Sequence, residues 1–282
     1  MQLSHWVFDP LVRWTQEMTF EPRLATRWER LDDLTMRFYL REGVKFHSGN
    51  PFTANDVKWS FDRMRKSADF KGLLEPFDGC YIVNEHTVDV KTKKPYPLVL
   101  NMATYFFAMD SKFYTGTDMN GQPKDMILKI GESFALNNAS GTGPFIVTKR
   151  EHNVVLEMER YKDYWDTQSP GNVTKFILTP IKENATRVAA LLSGDVDFIS
   201  PVPPQDFDRI EKDNKLKLVM INGGRIITFQ MNQKRRPELR VKKVRQAIVH
   251  AVNNEGIVQK IMKNKATVAA QQGPEGYAGY KE

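Results

Sequence analysis

Leu40-Arg41-Glu42-Gly43-Val44-Lys45-Phe46-His47-Ser48-Gly49-Asn50-Pro51-Phe52-Thr53-Ala54-Asn55-Asp56-Val57 decides the reading of this chain. A strand ends at Leu40, a tight turn and a short extended piece follow, and Gly49-Asn50-Pro51 turns the chain again into a helix. Thr53 is a natural N-cap, and Asp56 three residues on can reach back, as in a capping box with Asp for Glu. Nothing in the stretch has the makings of a catalytic centre.

Working outward, Met36-Arg37-Phe38-Tyr39-Leu40 alternates as a strand with one buried face, preceded by a hairpin turn at Asp32-Asp33. The helix from Ala54 to Lys66 carries Val57, Phe61 and Met64 on one stripe, which reads as core. Residues 80–83 and 87–90 form a hairpin around Asn84-Glu85-His86. A helix is expected over residues 98–109, a surface excursion over 115–124, and a glycine turn at Ser140-Gly141-Thr142-Gly143-Pro144. Strands are expected over residues 145–149, 153–160, 173–179, 195–199 and 226–232. Helices are expected from Asn184 to Ser193, closed by Gly194, and over residues 242–263. In that last helix Val244, Ile248, Val252, Ile257 and Ile261 make a buried stripe opposite Lys242, Lys243, Arg245, Lys260 and Lys263.

A length of 282 residues suits two domains, and 41% hydrophobic residues with 11% aromatic are enough for real cores. No apolar run approaches the roughly 20 residues that span a bilayer, and the first residues show no basic leader or apolar h-region. A single cysteine, Cys80, excludes an intrachain disulfide and any multi-cysteine metal site. The five histidines show no i,i+3 or i,i+4 pairing, so no metal and no cofactor are expected. Asp195 and Asp197 are better read as a cap and a solvated face than as acid–base groups. The formal charge of +7 is spread along the chain except for Lys234-Arg235-Arg236 with Arg240, Lys242, Lys243 and Arg245 close behind. That cluster keeps open a second reading, a basic cytoplasmic protein that binds nucleic acid.

Six segments, in order, resemble the extracytoplasmic solute-binding proteins of family 5, which serve peptide and nickel ABC importers. They are Phe8-Asp9-Pro10-Leu11-Val12-Arg13; Leu24-Ala25 through Phe46; Gly141-Thr142-Gly143-Pro144-Phe145; Arg160-Tyr161-Lys162-Asp163-Tyr164-Trp165; residues 187–197, ending Ser193-Gly194-Asp195-Val196-Asp197; and residues 244–258, from Val244-Arg245-Gln246-Ala247-Ile248 to Gly256-Ile257-Val258. Arg160 stands where the family usually has asparagine. Each segment alone is a weak signal; the ordered set is strong.

The resemblance implies an α/β fold like class II periplasmic binding proteins, with mixed sheets and flanking helices, cut off before most of the second lobe. Residues 1–8 and 150–225 would belong to the first lobe, 9–149 to a small inserted domain, and 226–282 to the crossover and the start of the second lobe. The chain is then a fragment, a truncated gene product or part of a longer protein. It would be a periplasmic or other extracytoplasmic monomer with no enzymatic role, capturing a peptide or related solute between lobes and delivering it to a membrane permease; no nucleic-acid partner follows. The backbone of Gly141, Thr142 and Gly143, the rings of Phe70, Tyr105, Phe106 and Phe229, and the guanidinium of Arg225 are the candidate ligand contacts. For each a plainer account exists: a fold-required turn, core aromatics, a solvated arginine. Asn222-Gly223-Gly224-Arg225 would be the hinge.

Overall fold

A computed structural model describes residues 3–15, 17–128, 132–168, 171–220, 226–269, 271 and 280. The chain forms two compact units, Met1–Pro180 and Ile181–Glu282.

The first unit opens with a helical turn, α1 (Ser4–Val7), and a two-stranded ribbon, β1 (Val12–Trp14) with β2 (Phe20–Pro22). Next come β3 (Ala25–Arg30), β4 (Thr35–Leu40), α2 (Ala54–Lys66), β5 (Phe77–Asn84) and β6 (Thr87–Thr92). The four strands make an antiparallel sheet in the order β3-β4-β6-β5. Its register sets Trp28 opposite Phe38 and Phe38 opposite Val88, with Met36, Val90 and Cys80 in the next inward row. Because side chains alternate across a strand, the intervening row faces out. There Arg37 clasps Asp89 through two hydrogen bonds, of 2.7 and 2.9 Å.

Helix α2 forms over the predicted residues. The Asp56 carboxylate reaches back to the Thr53 amide at 2.9 Å, the closing arm of a capping box. Its stripe is core: Phe61 meets Phe77 and Phe106 edge-on, at ring separations of 6.0 and 5.3 Å. Burying an aromatic ring of this size contributes about 2–3 kcal/mol.

Past the sheet lie α3 (Val99–Ala103), α4 (Ser111–Tyr114) and α5 (Phe134–Asn137), then β7 (Phe145–Glu151), β8 (Val155–Arg160) and β9 (Lys175–Leu178), a three-stranded antiparallel sheet. The helix expected over residues 98–109 is only α3. The Thr104 hydroxyl bonds to the Asn101 carbonyl, Phe106 and Ala108 are drawn into the core, and Phe107 bridges to Pro10 instead of continuing the helix.

The second unit holds α6 (Asn184–Ser193), α7 (Phe207–Glu211) and α8 (Lys242–Ala251). Glu183 caps α6 by accepting from Thr186 N, and Gly194 ends it at φ +80°, where a Cβ would be strained. A small core joins Val188, Ile199 and Ile210, with Leu191, Leu192 and Val196 packed against it.

Three expectations fail in this unit. Residues 195–199 are not a strand: Ile199 turns into the small core while Phe198 is exposed. Residues 226–232 form no strand either, since among the described residues no strand pairs with them, and Ile227 and Phe229 are 76% and 81% exposed. The long helix breaks after Ala251, where the Asn253 side chain accepts from Gly256 N and starts a separate turn. Its apolar stripe is not buried: Ile248, Ile257 and Ile261 are all exposed.

Candidate functional site

Three buried aspartates tie the first unit together, and two of them hold the stretch that decides the fold. Asp56 Oδ1 accepts from Ser111 N at 3.0 Å and Ser111 Oγ at 2.6 Å, tying α2 to the start of α4. Asp110, fully buried, caps α4 through Phe113 N and accepts from the Asn50 amide and Ser140 Oγ. The Gly49-Asn50 turn and the turn before β7 are thereby fastened to one carboxylate.

The third, Asp9, binds the N-terminal segment to distant parts of the unit. Its Oδ1 accepts from Arg23 Nη2 at 2.9 Å and from the Tyr164 hydroxyl at 3.2 Å. Oδ2 accepts from Trp165 Nε1 at 2.9 Å and Thr142 Oγ1 at 3.2 Å. Arg23 also donates to Asp166 Oδ2 at 2.9 Å. Burial pulls the pKa of the Arg23 guanidinium down, and Asp9, Tyr164 and Asp166 more than reverse it. Burial beside Asp9 drives the Tyr164 phenol up, so it stays a donor. The Arg23 and Arg41 guanidinium carbons lie 4.7 and 4.3 Å from the centre of the Trp165 ring.

Gly141-Thr142-Gly143 packs against this network. A Cβ on Gly141 would stand 1.9 Å from the Val7 carbonyl oxygen, and one on Gly143 would stand 2.6 Å from the Val7 carbonyl carbon. Gly143 N donates to that same Val7 oxygen at 2.9 Å. His47 closes the other side: its Nε2–H donates to the Gly143 carbonyl at 2.9 Å and its backbone N–H to the Gly141 carbonyl at 2.8 Å. The close approach that these glycines permit is therefore to the chain's own backbone. The expectation is that these glycines bring main-chain N–H groups to a ligand; Gly143 N donates to Val7, and Thr142 is buried with its hydroxyl on Asp9.

The other candidates are scattered. Phe106 is 5% exposed and belongs to the core, in edge-on ring contact with Phe61 and Phe77. Phe70 is half-buried in the turns after α2, and Tyr105 is half-buried beyond α3. Phe229 stands in solvent, and Arg225, with the rest of the expected hinge, lies outside the described residues. Asp195 accepts from Ser193 Oγ at 2.7 Å and caps neither end of α6, which Glu183 and Gly194 close. Burial pushes the Cys80 thiol up to about 12, which leaves it unreactive near neutral pH. Among the described residues no group of three or more His, Cys, Asp or Glu side chains is placed to hold a metal, and no helix is long and apolar enough to cross a membrane.

Asp9, Arg23 and His47 were not singled out from sequence, although a signal existed for two of them. Asp9 interrupts the apolar run Trp6-Val7-Phe8-Asp9-Pro10-Leu11-Val12, and Arg23 stands directly before the buried Leu24-Ala25. A lone charge in an apolar run must find a partner if the run is buried.

The assembly can hold backbone, orient rings and exclude water. All four side-chain acceptor contacts of Asp9 go to the protein itself. The family model for bacterial extracellular solute-binding proteins, family 5 Middle, matches residues 19–282. The dipeptide-binding protein of Escherichia coli (strain K12) is 28% identical over 284 residues, 93% of this chain and 51% of that one. Heme-binding protein A of Haemophilus influenzae is 26% identical over 305 residues, 99% of this chain and 53% of that one. The crystal structure of NikA from Staphylococcus aureus in complex with Ni(L-His)2 shares the fold at a TM-score of 0.78 and 20% identity, over 100% of this chain and 57% of that one. The chain thus spans about half the length of the curated relatives it matches. With a mixed α/β architecture shared with periplasmic binding proteins and a family match over nearly its whole length, the chain belongs to family 5 of the bacterial extracellular solute-binding proteins.

Proposed function

We propose that this chain is the solute-binding component of an ABC importer, working as an extracytoplasmic monomer that captures a peptide or a related small solute and passes it to a membrane permease. The family match over residues 19–282 carries the reading. Residues 1–8 and 150–225 build the first lobe, 9–149 the inserted domain, and 226–282 lead into the second lobe. The opposing wall of the cleft corresponds to the part of the longer relatives with which this chain does not align. Phe70, Tyr105, Phe106, Gly141, Thr142, Gly143, Arg225 and Phe229 are the proposed ligand contacts.

In this mechanism the ligand's backbone is held by main-chain hydrogen bonds, and its side chains occupy roomy, wet pockets. Closure draws on the ligand's higher affinity for the closed state, since equal affinity for both states would shift nothing. Calorimetric titration with di- to pentapeptides tests the reading. The 282 residues alone should bind more weakly than micromolar, because one wall supplies only part of the contacts. Micromolar binding by them would contradict the divided cleft. Salt-sensitive retention on heparin with no response to any peptide would replace the reading with nucleic-acid binding.

A further inference from the structure

Helix α2 meets residues 109–114 through three polar side chains on successive turns. Asp56 is satisfied by Ser111, and Ser60 Oγ accepts from Met109 N at 2.8 Å. One turn further along, Arg63 has no such partner. Its Nη1 reaches only the Met109 thioether at 3.9 Å, and sulfur is a weak acceptor. Its Nε is shut off from solvent with no hydrogen bond, and no described carboxylate forms an ion pair with it. Trp59 and Tyr114, stacked 6.0 Å apart at 16°, wall the seam, with the Arg63 guanidinium carbon 6.0 Å from the Trp59 ring. Burial lowers the pKa of the guanidinium, and Tyr114 and Asp125 act on it only at longer range.

A half-buried cation without a counter-ion is costly, and an anion from outside the chain relieves the cost. We propose that Arg63 binds a small oxyanion: its Nη groups, held in the protein only by the weak Met109 contact, bind a carboxylate, sulfate or phosphate group at the mouth of the seam between α2 and α4, with Trp59 as the flat wall. A planar guanidinium suits this task, since it offers two parallel donors to two oxygens. The site uses residues of the first unit alone and does not depend on the solute-binding reading.

The test is thermal unfolding of the whole 282-residue chain in sodium sulfate, sodium phosphate or sodium acetate, with ionic strength fixed by sodium chloride. Concentrations stay at or below about 20 mM, where general exclusion of salt from the surface is negligible. The expected result is a midpoint that rises and saturates in wild type, with apparent affinity at least about tenfold weaker in Arg63→Met and partly kept in Arg63→Lys. Greater sensitivity to acetate assigns a carboxylate ligand; greater sensitivity to sulfate or phosphate assigns a tetrahedral one. No saturable rise in wild type, or an equal rise in Arg63→Met, overturns the proposal. So does an anion effect that emerges only in Asp125→Asn, which would make Asp125 the private counter-ion. If Arg63→Met does not fold, crystals soaked in selenate decide: an anomalous peak within hydrogen-bonding distance of Arg63 supports the site, and its absence removes it.

Discussion

Arg23 Nη2 stands 2.9 Å from Asp9 Oδ1, and the two side chains are only 8% and 3% exposed. Such a pair is weak testimony for stability, because the cost of desolvating both charges offsets much of their attraction. Removing one partner is another matter. Arg23→Met leaves Asp9 charged and buried with only neutral donors, and is expected to cost about 3 kcal/mol. Asp9→Asn should cost a similar amount, since Asp166 alone then faces the guanidinium. The double variant should lose less than the sum of the two, a difference that urea unfolding of all four proteins measures. Additive losses would show that the pair is not coupled.

The glycines beside Asp9 give a sharper test. Gly143→Ala drives a methyl group against the Val7 carbonyl carbon and Phe8 nitrogen, at 2.6 and 2.8 Å, and backbone cannot step aside as a side chain can. The expected loss is about 1–3 kcal/mol, the range for overpacking a tight interior. Gly72→Ala is the control, since a Cβ there meets nothing within 4 Å. A stable Gly143→Ala protein that loses only ligand affinity would place the glycine turn at the cleft.

Local signals made the first unit legible. Thr53 and Asp56 mark the start of α2, Asp32-Asp33 turns the β3–β4 hairpin, and the alternation of Met36 to Leu40 names the buried face, all without long-range knowledge. The second unit was misread where apolar pattern was taken for burial. Val244, Ile248 and Val252 have helical spacing, yet spacing states only which side chains share a face and not whether anything covers it. The surroundings of the glycine turn were not legible for a related reason. Glycine reports that something comes close, and sequence could not say that the neighbour is Val7, about 135 residues away along the chain.

Two histidines predict a pH response. Burial lowers the pKa of His47 from its ordinary 6.5, opposed by the Gly143 carbonyl and Asp9, and burial also lowers that of His5, aided by Arg13. In both cases the unfolded chain takes up protons more readily than the folded one. Their contribution is therefore fully present above pH 6.5, erodes as pH falls below it, and levels off under the folded-state values. Urea midpoints between pH 7.5 and 5 should fall in wild type and flatten in a His5→Phe, His47→Gln variant. A slope unchanged by the double substitution would assign the effect to other groups.

The apolar side chains of the second unit divide into buried ones that hold it together and exposed ones that do not. Val188, Ile199 and Ile210 are its small core, so Ile210→Ala should cost about 2–4 kcal/mol through lost burial and an unfilled cavity. Ile227 and Phe229 make no such contribution, standing 76% and 81% exposed in a segment with no strand partner among the described residues. Ile227→Ser and Phe229→Ser should leave the unfolding midpoint within about 0.5 kcal/mol of wild type, as surface changes do. What they should reduce is the binding of an apolar dye such as ANS, because side chains of this size left in water form the kind of surface that a partner or ligand covers. A loss of stability in Phe229→Ser as large as that in Ile210→Ala would place the ring in a core, and with that its candidacy as a ligand contact would lapse.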